Sequence, residues 1–169
     1  MQRERHPEPD RTKRRLPPHQ VLVSDPASVA ALEADEETWA QVAVVQGPAT
    51  LAAFRAAVKP GLAAADQRFL ARLAGNYAYL FDVDGRGDGD EGGDGLPQRF
   101  PGPTLILTGR QDSICGYEEA WELIENFPRA TFAVLDRAGH DLSVEQEGLF
   151  RALVNEWLDR VEEYTATPH

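Results

Sequence analysis

Two residues in the C-terminal half of the chain are of the types that move protons near neutral pH. Asp112 ends the stretch Gly109-Arg110-Gln111-Asp112 and His140 ends Ala138-Gly139-His140, and each stretch follows a short apolar run. Ligands of open parallel sheets bind beyond the carboxyl ends of the strands. Adjacent parallel strands would therefore bring Asp112 and His140 together across 28 positions of sequence. A carboxylate accepting the Nδ1 proton of an imidazole fixes its tautomer and stabilises imidazolium, which leaves Nε2 to take a proton from a nucleophile. Such a pair is two-thirds of a nucleophile–base–acid triad, although one Asp and one His in loops, taken bare, better suit a structural role.

The nucleophile is the missing third. The serines are Ser24, Ser28, Ser113 and Ser143, and none has the G-x-S-x-G flanks of a strand-to-helix elbow. An Asp in such an elbow is equally absent. Ser113 is the sequence neighbour of Asp112, which rules out the triad geometry and makes it a hydrogen-bonder within the loop. Cys115 near a helix start could be a reactive thiolate, but burial beneath the strand–helix loop is the expected placement. The run 82–95 (DVDGRGDGDEGGDG) is rich in the carboxylates that hard cations prefer. Counted from Asp82, however, it puts Arg86 at the fifth and Gly93 at the twelfth position of a calcium loop. It reads as a flexible acidic linker. His6, His19 and His169 have no ligand-like spacing, so no metal and no cofactor is assigned.

The elements that must position the pair follow from periodicity. Thr104–Thr108 and Thr131–Leu135 are continuous apolar runs bounded by turn residues, as in strands buried on both faces. Between them Tyr117, Ala120, Trp121 and Ile124 share one helical face, and Pro128 closes that helix. Strand, helix and strand over about thirty residues make a parallel βαβ unit. Ser143 and Gln146 have capping-box spacing for a last helix, whose apolar face runs from Leu149 through Phe150, Leu153, Val154, Trp157 and Leu158 to Val161. Upstream, Asp25-Pro26 starts one helix and residues 36–46 suggest a second. Leu51, Phe54 and Val58 mark a third helix, ended by Pro60-Gly61, and Asp66 caps a fourth with Phe69, Leu70 and Leu73. Tyr77, Tyr79, Trp39 and Trp121 read as packing or pocket-lining residues. No strand is expected in this helical layer.

The 169 residues suit one domain, and the net charge of -11 argues against nucleic acid as a partner. The charge is uneven: Arg3, Arg5, Arg11, Lys13, Arg14 and Arg15 outnumber Glu4, Glu8 and Asp10 in a Pro-broken start that reads as a solvated tail. No apolar run is long enough for a membrane span or a signal-peptide core, and the single Cys115 suits a reducing cytoplasm.

The stretch Pro103–Leu158 resembles the C-terminal segment of α/β-hydrolase-fold enzymes in its G-R-Q-D loop, its A-G-H loop and the Glu145 shortly after. The helices at 26–76 are similar to that family's cap. The resemblance implies an α/β class and a partial α/β-hydrolase fold, a helical cap segment followed by a parallel βαβα unit. It implies Asp112 as triad acid, His140 as base, and a small-molecule ester, amide or related bond as substrate. The expected divisions are a tail at 1–20, a cap-like segment at 21–81, a linker at 82–102 and hydrolase core at 103–165. With the nucleophile elbow and most of the sheet unaccounted for, the chain reads as truncated and, in isolation, inactive. The alternative is a non-catalytic interaction or relic protein that pairs with a separately encoded N-terminal half or forms a homo-oligomer.

Overall fold

The computed structural model describes residues 14–74 and 99–167. The acidic run at 82–95, the tyrosines at 77 and 79 and most of the basic tail lie outside these residues. Within them the order is β1 (Val23–Ser24), α1 (Pro26–Ala30), α2 (Glu37–Val42), β2 (Val45–Gln46), α3 (Pro48–Ala53), α4 (Lys59–Ala64) and α5 (Gln67–Ala74) in the first part. The second part holds β3 (Thr104–Gly109), α6 (Glu118–Glu122), β4 (Ala130–Leu135), α7 (Leu142–Glu145) and α8 (Glu147–Ala166).

The first part differs from the all-helical expectation. β1 and β2 pair in parallel, Val23 with Val45 and Ser24 with Gln46. Helical spacing through Trp39, Val42 and Ala43 conceals the change, but Val44 and Val45 are β-branched and favour extended backbone. α2 therefore stops at Val42, and Ala43 turns to ψ 126°. Asp25 caps α1 as expected, its carboxylate accepting from the Ser28 amide at 2.9 Å. Asp66 likewise accepts from the amides of Arg68 and Phe69. The third helix does not end at Pro60-Gly61. A π-helical turn over Phe54–Val58 leads straight into α4, with Pro60 in its first turn. The wider turn accommodates a residue that has no amide to donate and whose ring crowds the preceding turn.

The core lies in this part: Trp39, Ala43, Leu51 and Phe54 are buried together, with the rings of Trp39 and Phe54 6.3 Å apart. A fully buried Glu36 carboxylate sits beside it, held by Arg55 through Nε and Nη2, each at 2.7 Å, and by Lys59 Nζ at 3.0 Å.

In the second part β3 and β4 are parallel and in register from Thr104–Ala130 to Gly109–Leu135, as the βαβ reading requires. Burial on both faces is not met. Thr108 and Gly109 in β3 and Leu135 in β4 are buried, and the rest of both strands is only half-buried. Among the described residues these two strands have no further neighbour, and open edges leave them unshielded. α8 covers part of the sheet: Trp157 Nε1 donates to Pro103 O at 3.0 Å, and Arg160 Nη2 donates to Thr131 Oγ1 at 2.9 Å. Leu149 and Leu158 of α8 remain exposed, and so does Trp121, whose ring meets Phe132 edge-on at 5.2 Å. Ser143 does not cap the last helix. It lies inside the short α7, and the chain breaks at Gln146 before α8 begins.

Arg15 pairs with Glu118 and Glu122, which ties the end of the basic segment to α6.

Candidate active site

The site is built where β3 and β4 end side by side. Arg110 N donates to Leu135 O at 2.8 Å, and Gln111 N donates to Ala138 O at 3.0 Å. The Gln111 amide group completes the lock: its Oε1 accepts from Ala138 N at 3.2 Å, and its Nε2 donates to Asp136 Oδ1 at 2.8 Å. Gly109 lets the loops approach this closely. A Cβ there would press on the carbonyl oxygens of Ala138 and Gly139 and lie 2.8 Å from Ala138 C. Gly139 has the same duty on its other side, where a Cβ would meet Val42 O and Val44 Cγ2 at 2.9 Å.

Glu145 anchors the His loop to the first part of the chain. One carboxylate oxygen accepts from Val44 N at 2.5 Å and Val45 N at 3.0 Å, and the other accepts from Gly139 N at 2.5 Å. Charge-assisted bonds of this kind are among the stronger ones in proteins. Turning Glu145 toward these amides accompanies the break between α7 and α8.

Asp112 is buried. Its Oδ1 accepts from the amides of Ile114 at 2.8 Å and Cys115 at 3.0 Å. Oδ2 lies 3.5 Å from Nδ1 of His140, whose side chain is 45% exposed. The two residues singled out by their loops are thus brought together. Burial pushes the Asp112 carboxyl up, but the His140 ring and the two amides outweigh it and hold the group below its ordinary value. The Asp112 carboxylate, with the Cys115 sulfur second, raises His140 to about 10 against the opposing effect of burial. Burial raises the neighbouring Asp141 carboxyl, and the Asp112 charge adds to that while His140 opposes it.

Cys115 is not buried. It is exposed, with Sγ 3.9 Å from His140 Nδ1. The Asp112 turn directs the chain outward after its amides are used, so the thiol emerges beside the ring instead of under the loop. Asp112, Cys115 and His140 bring one oxygen, one sulfur and one nitrogen within 4.8 Å of one another. A second group, Glu33, Asp35 and Glu36, already shares Lys59. Sequence reasoning did not find Gln111 or Cys115 as members of the site. The Gln lay inside the quoted motif, but only the geometry of two backbones shows what its amide does.

No protein-family model matches the sequence, and no curated protein matches it. Among solved structures, the fold is similar to a crystal structure of an alpha/beta superfamily hydrolase from Oenococcus oeni PSU-1, with a TM-score of 0.70 and 22% identity. The chain carries part of an α/β-hydrolase fold. The match covers 92% of this chain and 54% of the Oenococcus structure, so the chain spans about half the length of that hydrolase. No helix among the described residues is long and apolar enough to cross a membrane.

Proposed function

We propose that Asp112 and His140 are the acid and base of a nucleophile–His–Asp triad that hydrolyses a small ester, amide or related bond. The nucleophile is supplied by polypeptide outside these 169 residues. The observation that carries this reading is the 3.5 Å approach of Oδ2 to Nδ1 at the ends of two adjacent parallel strands. Asp112 orients the ring through Nδ1 and balances its charge, and Nε2 exchanges the proton with the nucleophile and then with the leaving group. Gln111 and Glu145 hold the loops so that the acid and base move as one body.

In this reading residues 21–81 are the cap and 103–165 the end of the core. The substrate is a small molecule and neither nucleic acid nor a membrane. A groove of about 650 Å³ lined by Ser28, Leu51 and Arg55 belongs to the cap side, and neither Asp112 nor His140 lines it. A lone, unpaired Cys115 supports a cytoplasmic location.

The test is co-expression with an adjacent reading frame that encodes a G-x-S-x-G elbow, followed by assay of nitrophenyl ester hydrolysis. Hydrolysis is expected from the pair, lost in His140→Ala, and absent from this chain alone. Turnover by the pair that survives His140→Ala would end the triad reading.

The exposed Trp121, Leu149 and Leu158, with the open edges of β3 and β4, favour a second reading. In it the chain is a binding protein that associates with a complementary half or with itself. Light scattering on the purified chain separates the two forms: a stable dimer supports self-association, and a monomer that shifts only with the complementary half supports pairing.

A further inference from the structure

We infer that Asp112, Cys115 and His140 form a three-donor site for a divalent cation of zinc's type. Each residue offers one donor, a carboxylate oxygen, the Cys115 sulfur and a ring nitrogen, and the three lie within 4.8 Å of one another. A tetrahedral zinc ion with its usual bond lengths spaces nitrogen, sulfur and oxygen ligands about 3.3–3.6 Å apart. The separations here are 3.5 Å from Nδ1 to Oδ2 and 3.9 Å from Sγ to Nδ1. Small rotations of the exposed Cys115 and His140 side chains close the difference.

The rest of the site is arranged as a metal ligand set requires. Asp112 is fixed by the amides of Ile114 and Cys115 on its other oxygen, the outer-shell support that orients a ligating carboxylate. The same turn makes Asp112 and Cys115 a rigid D-x-x-C pair, and the next strand supplies the imidazole. Both outer donors are exposed, so an ion has an entry path and a fourth position open to water. A set with one thiolate and one imidazole favours zinc over magnesium or calcium, which take oxygen donors. The Glu33, Asp35 and Glu36 group is no rival, because Lys59 and Arg55 already neutralise it.

The site stands whether or not the hydrolase reading does. If that reading is right, its consequence is regulatory: the ion claims the same two atoms, Nδ1 and Oδ2, that couple base to acid. Zinc would then switch the triad off, and Cys115 would be the residue that makes the site sensitive to it.

The experiment uses the full chain, reduced and stripped with chelator. Cobalt(II) is titrated first, then zinc displaces it, and calorimetry with zinc runs in parallel. Expected are one ion per chain and a near-ultraviolet thiolate-to-cobalt charge-transfer band that zinc abolishes. Cys115→Ser removes the band and weakens zinc binding at least about tenfold, with an unchanged circular dichroism spectrum because the position is exposed. His140→Ala weakens it similarly. Absence of the band, or zinc affinity retained in Cys115→Ser, would overturn the site, since any ion bound would then sit on other residues. Neither readout depends on a nucleophile, so failure here is distinct from failure of the hydrolase reading.

Discussion

Substituting alanine at Gly109 tests whether close contact between the two loops holds the site together. The new Cβ would press on two carbonyl oxygens and lie 2.8 Å from Ala138 C. Carbon atoms in contact sit at about 3.5 Å or more, so the loops must part by at least about 0.7 Å. These are backbone atoms, and no side-chain rotation relieves the clash. If the Asp112 loop moves with Gly109, the 3.5 Å ion pair with His140 opens to about 4.2 Å. Overpacking of this kind costs about 1–3 kcal/mol. Gly61 supplies the control. It lies in α4, where an added Cβ meets nothing within 4 Å, so Gly61→Ala should stabilise by about 0.5–1 kcal/mol through backbone entropy. Urea unfolding at pH 7 reads both, and the same substitution should act with opposite signs. Equal or stabilising effects at the two positions would refute the close approach of the loops.

Other consequences are open to direct measurement. Trp39→Ala should destabilise by about 3–5 kcal/mol in thermal or urea unfolding, because its ring fills the core against Phe54. Thr108→Val should stabilise by about 1 kcal/mol in the same assay, since the Thr108 hydroxyl is buried without a partner among the described residues. The pH dependence of stability follows from His140, whose pKa rises from 6.5 to about 10 on folding. The ion pair stabilises the fold fully below pH 6.5 and loses that contribution as pH rises through 10. In metal-free protein, the stability gap between wild type and His140→Gln should therefore narrow over this range, as followed by urea midpoints. Lowering pH acts in the opposite sense on Glu36: the bonds from Arg55 hold its pKa well below the ordinary carboxylate range, and its stabilisation fades in acid. Glu36→Gln should flatten the acid limb of the same titration.

The β3–α6–β4 unit was legible because its signals are local and agree. Two apolar runs with turn residues at their ends, one helical face and a proline stop leave a single topology. That topology placed the loops of Asp112 and His140 side by side, and the resemblance of the two loop motifs to a known family singled the residues out. The helical part was harder. A two-residue strand such as Val45–Gln46 has no periodicity to read, and the π-helical turn before Pro60 depends on tertiary accommodation. Cys115 was misplaced because exposure at the end of a turn depends on which oxygen of Asp112 takes the amides, a detail below the resolution of pattern. Glu36 shows the same limit: a charge is buried only where two cations from a later helix reach it.

The most direct measurement is the nuclear magnetic resonance titration of the His140 imidazole in metal-free protein, wild type beside Asp112→Asn. Coupling of acid to base should give a wild-type midpoint of about 10 and, without the carboxylate charge, a return toward 6.5. A wild-type midpoint near 6.5 that Asp112→Asn leaves unchanged would contradict the account, for the two loops would then hold no acid–base pair.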